Sequence, residues 1–162
     1  MACEPGVYVL RRVVDGVMAF CHDRAPLEAL GVLAGTRCRH RAGRYVCVED
    51  WATGATEASE AHAQLTADGV AACHRQLDAK YGVEREAPLV VGLFHSHPFG
   101  AEPSLSARDV ATFAAFPYSA PGNVFVLVNP HSGHFLVYQR GGSGQLAERE
   151  WVEYAPQETR SP

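Results

Sequence analysis

The chain has 162 residues and a formal charge of −4; 47% of its residues are hydrophobic and 20% are charged. This length and balance are typical of one globular domain with its own core, and the negative charge argues against a phosphate-binding surface of the kind that binds nucleic acid. No apolar stretch approaches the roughly 20 residues that cross a bilayer, and the polar N-terminus lacks a secretory signal, so we expect a cytoplasmic protein without membrane contact.

Apolar periodicity predicts the first elements of secondary structure. Residues 7–10 form a short apolar run typical of a strand, and the apolar residues from Leu10 to Cys21 recur at helical spacing. A buried strand is expected over 29–34, and the alternating stretch 44–51 predicts a third strand antiparallel to it. We interpret residues 36–43, between these two strands, as a turn.

That turn contains the basic cluster Arg37-Cys-Arg-His-Arg41, which we interpret as solvated, although it could also guide an acidic partner. The small, polar and acidic stretch 53–63 predicts a loop. A second helix is expected from Thr66 to Gly82, because glycine is a frequent helix terminator. Its buried face should consist of four residues: Val70, Cys73, Leu77 and Tyr81.

The apolar run over 89–95 predicts a buried central strand. The pair His131-x-x-His134 flanks Ser-Gly after Asn-Pro, so a hairpin turn explains it better than a metal site. The other expected elements are a third helix over 107–116 ended by Pro117, a hairpin with strands over 123–129 and 134–139, a flexible glycine link over 141–144, and a segment over 151–154 that packs back.

These elements predict one α/β domain over residues 1–154, followed by a disordered tail over residues 155–162. The cysteines are odd in number and show no Cys-x-x-Cys spacing, which indicates free thiols in a reducing compartment. The composition, rich in Ala, Arg and Gly, favours a bacterial source. The five cysteines are Cys3, Cys21, Cys38, Cys47 and Cys73.

The central strand ends in His-Ser-His-Pro, the most informative stretch of the chain. Because side chains alternate across a strand, His95 and His97 should point to one side and Ser96 to the other. Asp109 follows His97 by twelve residues. Two imidazoles and one carboxylate leave a zinc ion one open position for water, as in catalytic zinc sites. The pattern favours a metal-dependent hydrolase, although a lone His-x-His pair is more often structural.

Asp109 follows Ser106 in the spacing Ser-x-x-Asp, which is also typical of a helix start with Ser106 at the N-cap. The two interpretations are compatible, because a capped helix end holds a metal ligand rigidly. Ser104 is an alternative for the role of Ser106. It lies five residues before Asp109, however, whereas one helical turn requires an offset of three.

A further acidic residue, Glu28, stands at the entry of the apolar segment 29–34. An acid there is costly unless it is paired, hydrogen-bonded or protonated. An exposed turn before the strand would explain Glu28 if the rest of the chain carried no other signal. Its position upstream of the His-x-His and Ser-x-x-Asp motifs favours a role in the same site.

The pattern Glu…His-Ser-His-Pro…Ser-x-x-Asp resembles the JAMM metalloproteases, also called MPN+ or JAB-type, over residues 7–139. One departure is that eight residues separate His97 from Ser106, whereas the family usually has seven. The resemblance implies a single MPN-type domain of the α/β class. Its sheet should be mixed, mostly antiparallel and flanked by helices, with layering like that of the cytidine deaminases.

The same resemblance implies a zinc cofactor held by His95, His97 and Asp109. The zinc ion would lower the pKa of a water toward 7 and polarise the scissile carbonyl. Glu28 would act as the proton shuttle, with Glu102 as the next candidate for the base, and Ser106 would donate a hydrogen bond to the developing oxyanion.

JAMM enzymes commonly hydrolyse the bond after the Gly-Gly tail of ubiquitin or a ubiquitin-like protein. The resemblance therefore implies a ubiquitin-like substrate and its conjugates as partners, with E1-like and E2-like proteins of a bacterial pathway. Residues 53–63 and 116–122 lie where the family carries substrate-gripping insertions.

Two alternatives stay open: a protease that releases an amino acid from a sulfur-carrier protein, and a metal-free MPN scaffold. A cytidine deaminase does not fit, because neither His-x-Glu nor Pro-Cys-x-x-Cys occurs in the chain.

Overall fold

A mixed sheet lies at the centre of the molecule. The computed structural model of the chain describes residues 6–41, 43–59, 62–82, 89–115, 120–141 and 144–156. In chain order the elements are β1 (Val7–Leu10), α1 (Arg11–Arg24), β2 (Leu30–His40), β3 (Gly43–Ala52), β4 (Thr56–Ser59), β5 (His62–Leu65), α2 (Ala67–Tyr81), β6 (Leu89–Ser96), α3 (Ala107–Ala114), β7 (Val124–Asn129), β8 (His134–Arg140), β9 (Leu146–Arg149) and β10 (Val152–Tyr154).

Within the described residues, eight strands form the main sheet in the order β10-β1-β3-β2-β6-β7-β8-β9, and β4 and β5 form a separate hairpin. β1 pairs in parallel with both β10 and β3, and β6 pairs in parallel with β7. The other neighbours in the main sheet are antiparallel. The expected α/β domain with a mixed sheet flanked by helices is therefore confirmed. No helix in the described part of the chain is long and apolar enough to cross a membrane.

Helix α1 covers one face of the sheet. Val13, Val17 and Cys21 recur every four residues, so they lie along one side of the helix, and none of them has exposed surface. They belong to one apolar cluster with Val48 of β3 and Phe94 of β6. The predicted helical periodicity of this segment is confirmed.

Helices α2 and α3 contribute to a second apolar cluster on the other face. Leu93 and Phe94 are neighbours on β6 and therefore point to opposite faces of the sheet. Leu93 packs in the second cluster with Cys73 of α2 and Phe113 of α3. The strand β6 is consequently covered on both faces, as the continuous apolar run over 89–95 predicts.

Helix α2 begins and ends where the sequence predicts. The hydroxyl of Thr66 accepts a hydrogen bond from the backbone N–H of Gly69 at 3.0 Å, which is an N-cap contact. Gly82, with a φ of 73°, follows the last helical residue. Of the four residues expected on its buried face, Cys73 and Leu77 are buried. The other two, Val70 and Tyr81, are half-buried.

The turn predicted over residues 36–43 is wrong. β2 continues to His40 and pairs with β3, which starts at Gly43. The first four residues of the basic cluster Arg37-Cys-Arg-His-Arg41 therefore lie on a strand, not in a solvated turn. The prediction failed because exposed charged side chains on this end of the strand remove the apolar pattern that indicates a strand.

The loop predicted over residues 53–63 is also wrong, because this stretch contains β4 and the start of β5. Helix α3 ends at Ala114, before the predicted end at residue 116, and residues 116–119 lie outside the described part of the chain. The hairpin of β4 and β5 consists of small and polar residues without an alternating apolar pattern, so its strands were not predicted.

The C-terminal part adds strands at both edges of the sheet. The backbone N–H of Gly144 donates to the carbonyl of Gly141 at 2.9 Å, and residues 142 and 143 of the expected flexible link lie outside the described residues. The strand β9 that follows was not predicted. The segment 151–154 packs back as expected: β10 pairs with β1, and the rings of Trp151 and Phe135 lie 4.9 Å apart. The expected disordered tail lies, from residue 157 onward, outside the described residues.

A buried acid, Asp50 of β3, joins both helical layers to the sheet. Its Oδ2 accepts hydrogen bonds from Lys80 Nζ of α2 at 2.5 Å and from the Tyr81 hydroxyl. Its Oδ1 accepts from the Trp51 N–H at 2.9 Å and lies 3.8 Å from Nη1 of Arg12 on α1. Burial acts to raise the pKa of Asp50, but the hydrogen bonds from Lys80 and Tyr81 outweigh it and hold the pKa below its ordinary value.

We expect Asp50→Asn to lower the free energy of unfolding by about 1 kcal/mol at pH 7, because the buried carboxylate loses its charge-assisted hydrogen bonds, whereas its cationic partners Lys80 and Arg12 are half exposed and stay hydrated. The pKa of Asp50 is lower in the folded state, so its contribution is present above the unfolded pKa of about 4 and is lost as pH falls through the folded pKa. Urea unfolding at pH 7 and at pH 3 should show a smaller difference between variant and wild type at pH 3. Asp78→Asn, at an exposed position of α2, is the control; an equal loss there would contradict this account.

Candidate metal centre

Two histidines and two carboxylates meet where β2 begins and β6 ends. Leu30 pairs with His95 between these strands, which brings Glu28, two residues before Leu30, next to the His-x-His pair. Glu28 Oε2 lies 3.1 Å from His95 Nε2, and Glu28 Oε1 lies 3.8 Å from His97 Nε2. The side chains of Glu28 and His95 are only 4% and 5% exposed. An acid far upstream in the chain is therefore part of the same buried group as the histidines.

The backbone around the histidines is fixed on both sides. The rings of His95 and His97 lie 5.0 Å apart, and Ser96 between them contacts β2. The Ser96 hydroxyl accepts from the Ala29 N–H at 2.7 Å, and the Ser96 N–H donates to the Ala29 carbonyl at 2.9 Å. The His97 N–H donates to the Val128 carbonyl at 2.8 Å, which ties it to β7. This double contact at Ala29 also positions the adjacent Glu28.

The thiol of Cys21 on α1 hydrogen-bonds to the Ser96 side chain, directly behind the histidines. Burial raises the pKa of Cys21 to about 12, and the contact with Ser96 offsets this only in part. The thiolate is the reactive form of cysteine. A thiol that stays protonated at this depth does not favour cysteine-protease chemistry.

Asp109 reaches the histidines from the first turn of α3. Its Oδ1 lies 3.3 Å from His95 Nε2, and its Oδ2 lies 3.2 Å from His97 Nε2. Ser106 is the N-cap: its hydroxyl accepts from the Asp109 N–H at 3.1 Å, and Asp109 Oδ2 accepts from the Ser106 N–H at 2.7 Å. This reciprocal capping box confirms the predicted helix start at Ser106. Ser104 lines the neighbouring cavity but is not part of the box.

The surroundings keep Asp109 ionised. Burial by itself raises the pKa of Asp109. The hydrogen bond with His97, the backbone N–H of Ser106 and the charge of His95 lower the pKa by more than burial raises it, so that it stands at about 2. A carboxylate that is negative across the neutral range needs a positive counterpart in the site, which a protonated imidazole or a cation supplies.

The donor atoms fit a metal ion. Glu28, His95 and His97 form a buried group whose ligand atoms lie within 4.8 Å of one another, the one such group within the described ranges. His95 Nε2 is buried and, although two carboxylates lie within 3.3 Å, it makes no hydrogen bond. A buried polar atom normally has a partner, and imidazole nitrogen with carboxylate oxygen is a common zinc donor set. The carboxylate of this group is Glu28, whereas the sequence predicts Asp109 as the third metal ligand. The carboxylates of both residues lie close to the imidazoles.

A cavity of about 480 Å³ opens beside this group. Phe99, half exposed, stacks on His97 with 5.2 Å between ring centroids and 17° between ring planes. Among the residues that line the cavity are both acids and both histidines of the site together with Ser106. A substrate in this cavity would therefore meet the predicted ligands directly.

Asn129 at the end of β7 holds the wall of this cavity, a role that the sequence did not indicate. Its side-chain amide donates to the carbonyls of Phe99 and Gly100 at 3.2 and 3.1 Å. Its oxygen accepts from the N–H groups of His131 and Ser132 at 3.0 and 3.2 Å. The same contacts confirm that the His131-x-x-His134 pair belongs to a hairpin turn. An Asn at the end of an apolar strand is the only signal that the sequence offers for this role, because Phe99 and Gly100 are distant from it in sequence.

A family model described as prokaryotic homologs of the JAB domain matches residues 10–139. The chain belongs to the prokaryotic JAB-domain family. The resemblance to JAB-type proteins that the motifs indicated is thus confirmed, and the site described above lies within the matched residues.

Among solved structures, the solution structure of protein DSY2949 from Desulfitobacterium hafniense is similar to this JAB domain. It has a TM-score of 0.58 and 20% sequence identity, over 95% of this chain and 97% of that chain. At this identity the likeness shows the fold alone. No curated protein matches the chain.

We expect His95→Ala, His97→Ala and Asp109→Ala each to abolish stoichiometric zinc binding without unfolding the JAB domain, because an open three-ligand site needs every ligand. Zinc content after dialysis, measured by elemental analysis beside a circular-dichroism spectrum, tests this. His22→Ala, at an exposed position on α1, should keep its zinc. Full zinc occupancy in a His95/His97 double variant would refute the assignment.

Proposed function

We propose that this JAB-domain protein is a zinc-dependent peptidase or isopeptidase that hydrolyses the bond after the C-terminal glycine of a ubiquitin-like protein. The observation that carries the proposal is the buried group of His95, His97, Glu28 and Asp109 at the wall of a 480 Å³ cavity. A scaffold without chemistry has no need for this group, since burying four ionisable side chains is costly.

In this proposal His95, His97 and Asp109 hold the metal. Asp109 suits this role because the capping box fixes its carboxylate and its pKa of about 2 keeps it negative. Zinc, when bound, supplies a Lewis acid that polarises a carbonyl and acidifies a water. The two histidines contribute nitrogen donors, His95 from β6 and His97 from the position directly after it.

Glu28 is then the carboxylate that remains for proton transfer. Its Oε2 lies 3.1 Å from His95 Nε2, so it stands at the same point as the ligands, and the residue is 3% exposed. A general base must lie within hydrogen-bond reach of the proton that it removes. We assign Glu28 to take a proton from the attacking water and to deliver it to the leaving amine.

Ser106 supplies a hydrogen-bond donor at the rim of the cavity. A hydroxyl group has one donor and two acceptor positions, and the Ser106 oxygen accepts from the Asp109 N–H. The O–H can therefore donate to the negative charge that develops on the substrate carbonyl oxygen. The two reciprocal hydrogen bonds between Ser106 and Asp109 couple this donor to a proposed metal ligand.

The choice of substrate rests on the family resemblance. Because glycine has no side chain, the backbone of a C-terminal Gly-Gly tail can closely approach the cavity wall where His97 and Phe99 stack. An extended tail would add main-chain hydrogen bonds to a neighbouring strand, and we place the hairpin β4–β5 among the candidate contacts. E1-like and E2-like proteins of a bacterial pathway are the proposed partners. A sulfur-carrier protein has a similar tail and is the alternative substrate.

Cleavage of a ubiquitin-like protein fused through its C-terminal glycine tests the function. We expect cleavage with zinc, loss of cleavage after chelation, and recovery when zinc is added back. Cleavage of a sulfur-carrier adduct only would favour the alternative substrate. Stoichiometric zinc without cleavage of either would contradict the proposal, and protein without zinc would favour a scaffold.

Glu28→Gln should keep its zinc and lose most of its activity, because the amide cannot accept the proton. The variant should still bind substrate, and this is measurable as a stable complex by size-exclusion chromatography. Glu102→Gln, in the cavity wall, is the matched control and should stay active. An active Glu28→Gln enzyme would place the base elsewhere.

Ser106→Ala should lower turnover by roughly two orders of magnitude through the lost donor. It should also lower the free energy of unfolding by about 1 kcal/mol through the lost N-cap. Ser104→Ala removes a hydroxyl from the same cavity but not from the capping box, so it should change neither kcat nor stability. The reverse ranking of the two variants would exclude Ser106 as the donor.

A further inference from the structure

A second cavity, of about 400 Å³, lies at the other end of the sheet from the candidate metal centre. On β2, Leu30 pairs with His95 beside the metal centre, whereas Arg39 pairs with Arg44 at the far end. With a rise of about 3.3 Å per residue, β2 separates these two positions by up to roughly 30 Å. The second cavity is therefore a separate site, and it does not depend on the proposed function.

Arginines dominate the wall of this cavity. Arg37 and Arg39 of β2, Arg44 of β3 and Arg140 of β8 line it, and no Asp or Glu is among its described lining residues. The whole chain has a formal charge of −4, so the fold concentrates positive charge here against the overall balance. The guanidinium of Arg140 lies over the Phe113 ring, 6.0 Å from its centroid, so the positive local potential in this concave space comes from Arg37, Arg39 and Arg44.

The protein leaves these charges without counter-ions in the part of the chain that the structure describes. Arg37 donates to neutral oxygens, the Asn123 side chain and the Val90 carbonyl, and Arg140 Nη1 donates to the Gly144 carbonyl at 2.5 Å. Arg140 Nε and Nη2 make no hydrogen bond, but they are buried beside the Phe113 ring and are closed to a ligand in the cavity. By contrast, Arg11 and Arg12 elsewhere on the surface lie within 4 Å of a carboxylate.

We propose that this arginine-lined cavity binds a small ligand that carries a multiply charged phosphate group. The guanidinium fork matches phosphate oxygens with two parallel hydrogen bonds, and one phosphate supplies up to two negative charges and three acceptor oxygens. A single carboxylate would neutralise only one of the three arginines Arg37, Arg39 and Arg44. The anion thus supplies the counter-charge that the described part of the protein does not.

The shape of the cavity favours a small molecule over a flat macromolecular surface. Its volume lies within the range of small-ligand pockets, about 300–1,000 Å³. Tyr45, Val46 and Pro121 line it beside the arginines and offer apolar contacts to an organic group attached to the phosphate. The basic cluster on β2, which the candidate metal centre does not use, is thereby given a role.

Titration calorimetry of the full-length protein with inorganic pyrophosphate tests the proposal. We expect saturable one-to-one binding that weakens about tenfold for each charge removed in Arg39→Gln and Arg44→Gln, since charge-assisted hydrogen bonds are the strong ones. Both residues are exposed, so the variants should fold, and unchanged thermal melting checks this. Arg75→Gln, an exposed position on α2, is the matched control and should bind normally.

A metal ion in the candidate metal centre would also attract pyrophosphate. The variant His97→Ala distinguishes binding there from binding in the arginine-lined cavity. We expect His97→Ala to bind pyrophosphate as the wild type does, with or without zinc. Binding that is lost in His97→Ala and kept in the arginine variants would overturn the proposal. So would an equal loss in Arg75→Gln, tighter binding of citrate than of pyrophosphate, or no binding at all.

Discussion

The antiparallel pairing of β2 with β6 is the constraint on which the candidate metal centre depends. The pairing of Leu30 with His95 places Glu28 next to the imidazoles. The reciprocal hydrogen bonds of Ser96 with Ala29 fix the register at the end of this strand pair. A shift by one residue would turn every side chain of β6 to the opposite face. The histidines would then face the Cys21 side of the sheet and lose both carboxylates.

Burial makes this arrangement both demanding and specific. Ionisable groups removed from water are tolerated only when each has a partner, and here two imidazoles share two carboxylates within 3.8 Å. The helices hold the geometry from both sides: α1 packs behind β6 through Phe94, while α3 brings in Asp109. The site therefore lies at the ends of central strands of the JAB domain: Glu28 precedes β2, His97 follows β6, and the wall that contains Phe99 comes from a loop.

The sequence predicted the elements with strong periodicity, and its motifs indicated the four ionisable residues that the structure brings together in the candidate metal centre. The helical spacing of Val13, Val17 and Cys21 and the apolar run before His95 depend on local pattern, which a single sequence shows directly. Contacts between distant segments were out of reach: Ser96 with Ala29, and Asn129 with Phe99. The arginine-lined cavity was hidden for the same reason, because net charge says nothing about how β2, β3 and β8 converge.

Asp109 belongs to two structures at once, the start of α3 and the candidate metal centre. Its backbone N–H and its carboxylate close the capping box with Ser106, and the same carboxylate faces both imidazoles. A histidine at this position would use its one acceptor nitrogen for the metal and would have no acceptor left for the Ser106 N–H. Redesign of the centre for a different metal would consequently have to rebuild the helix terminus together with the ligand.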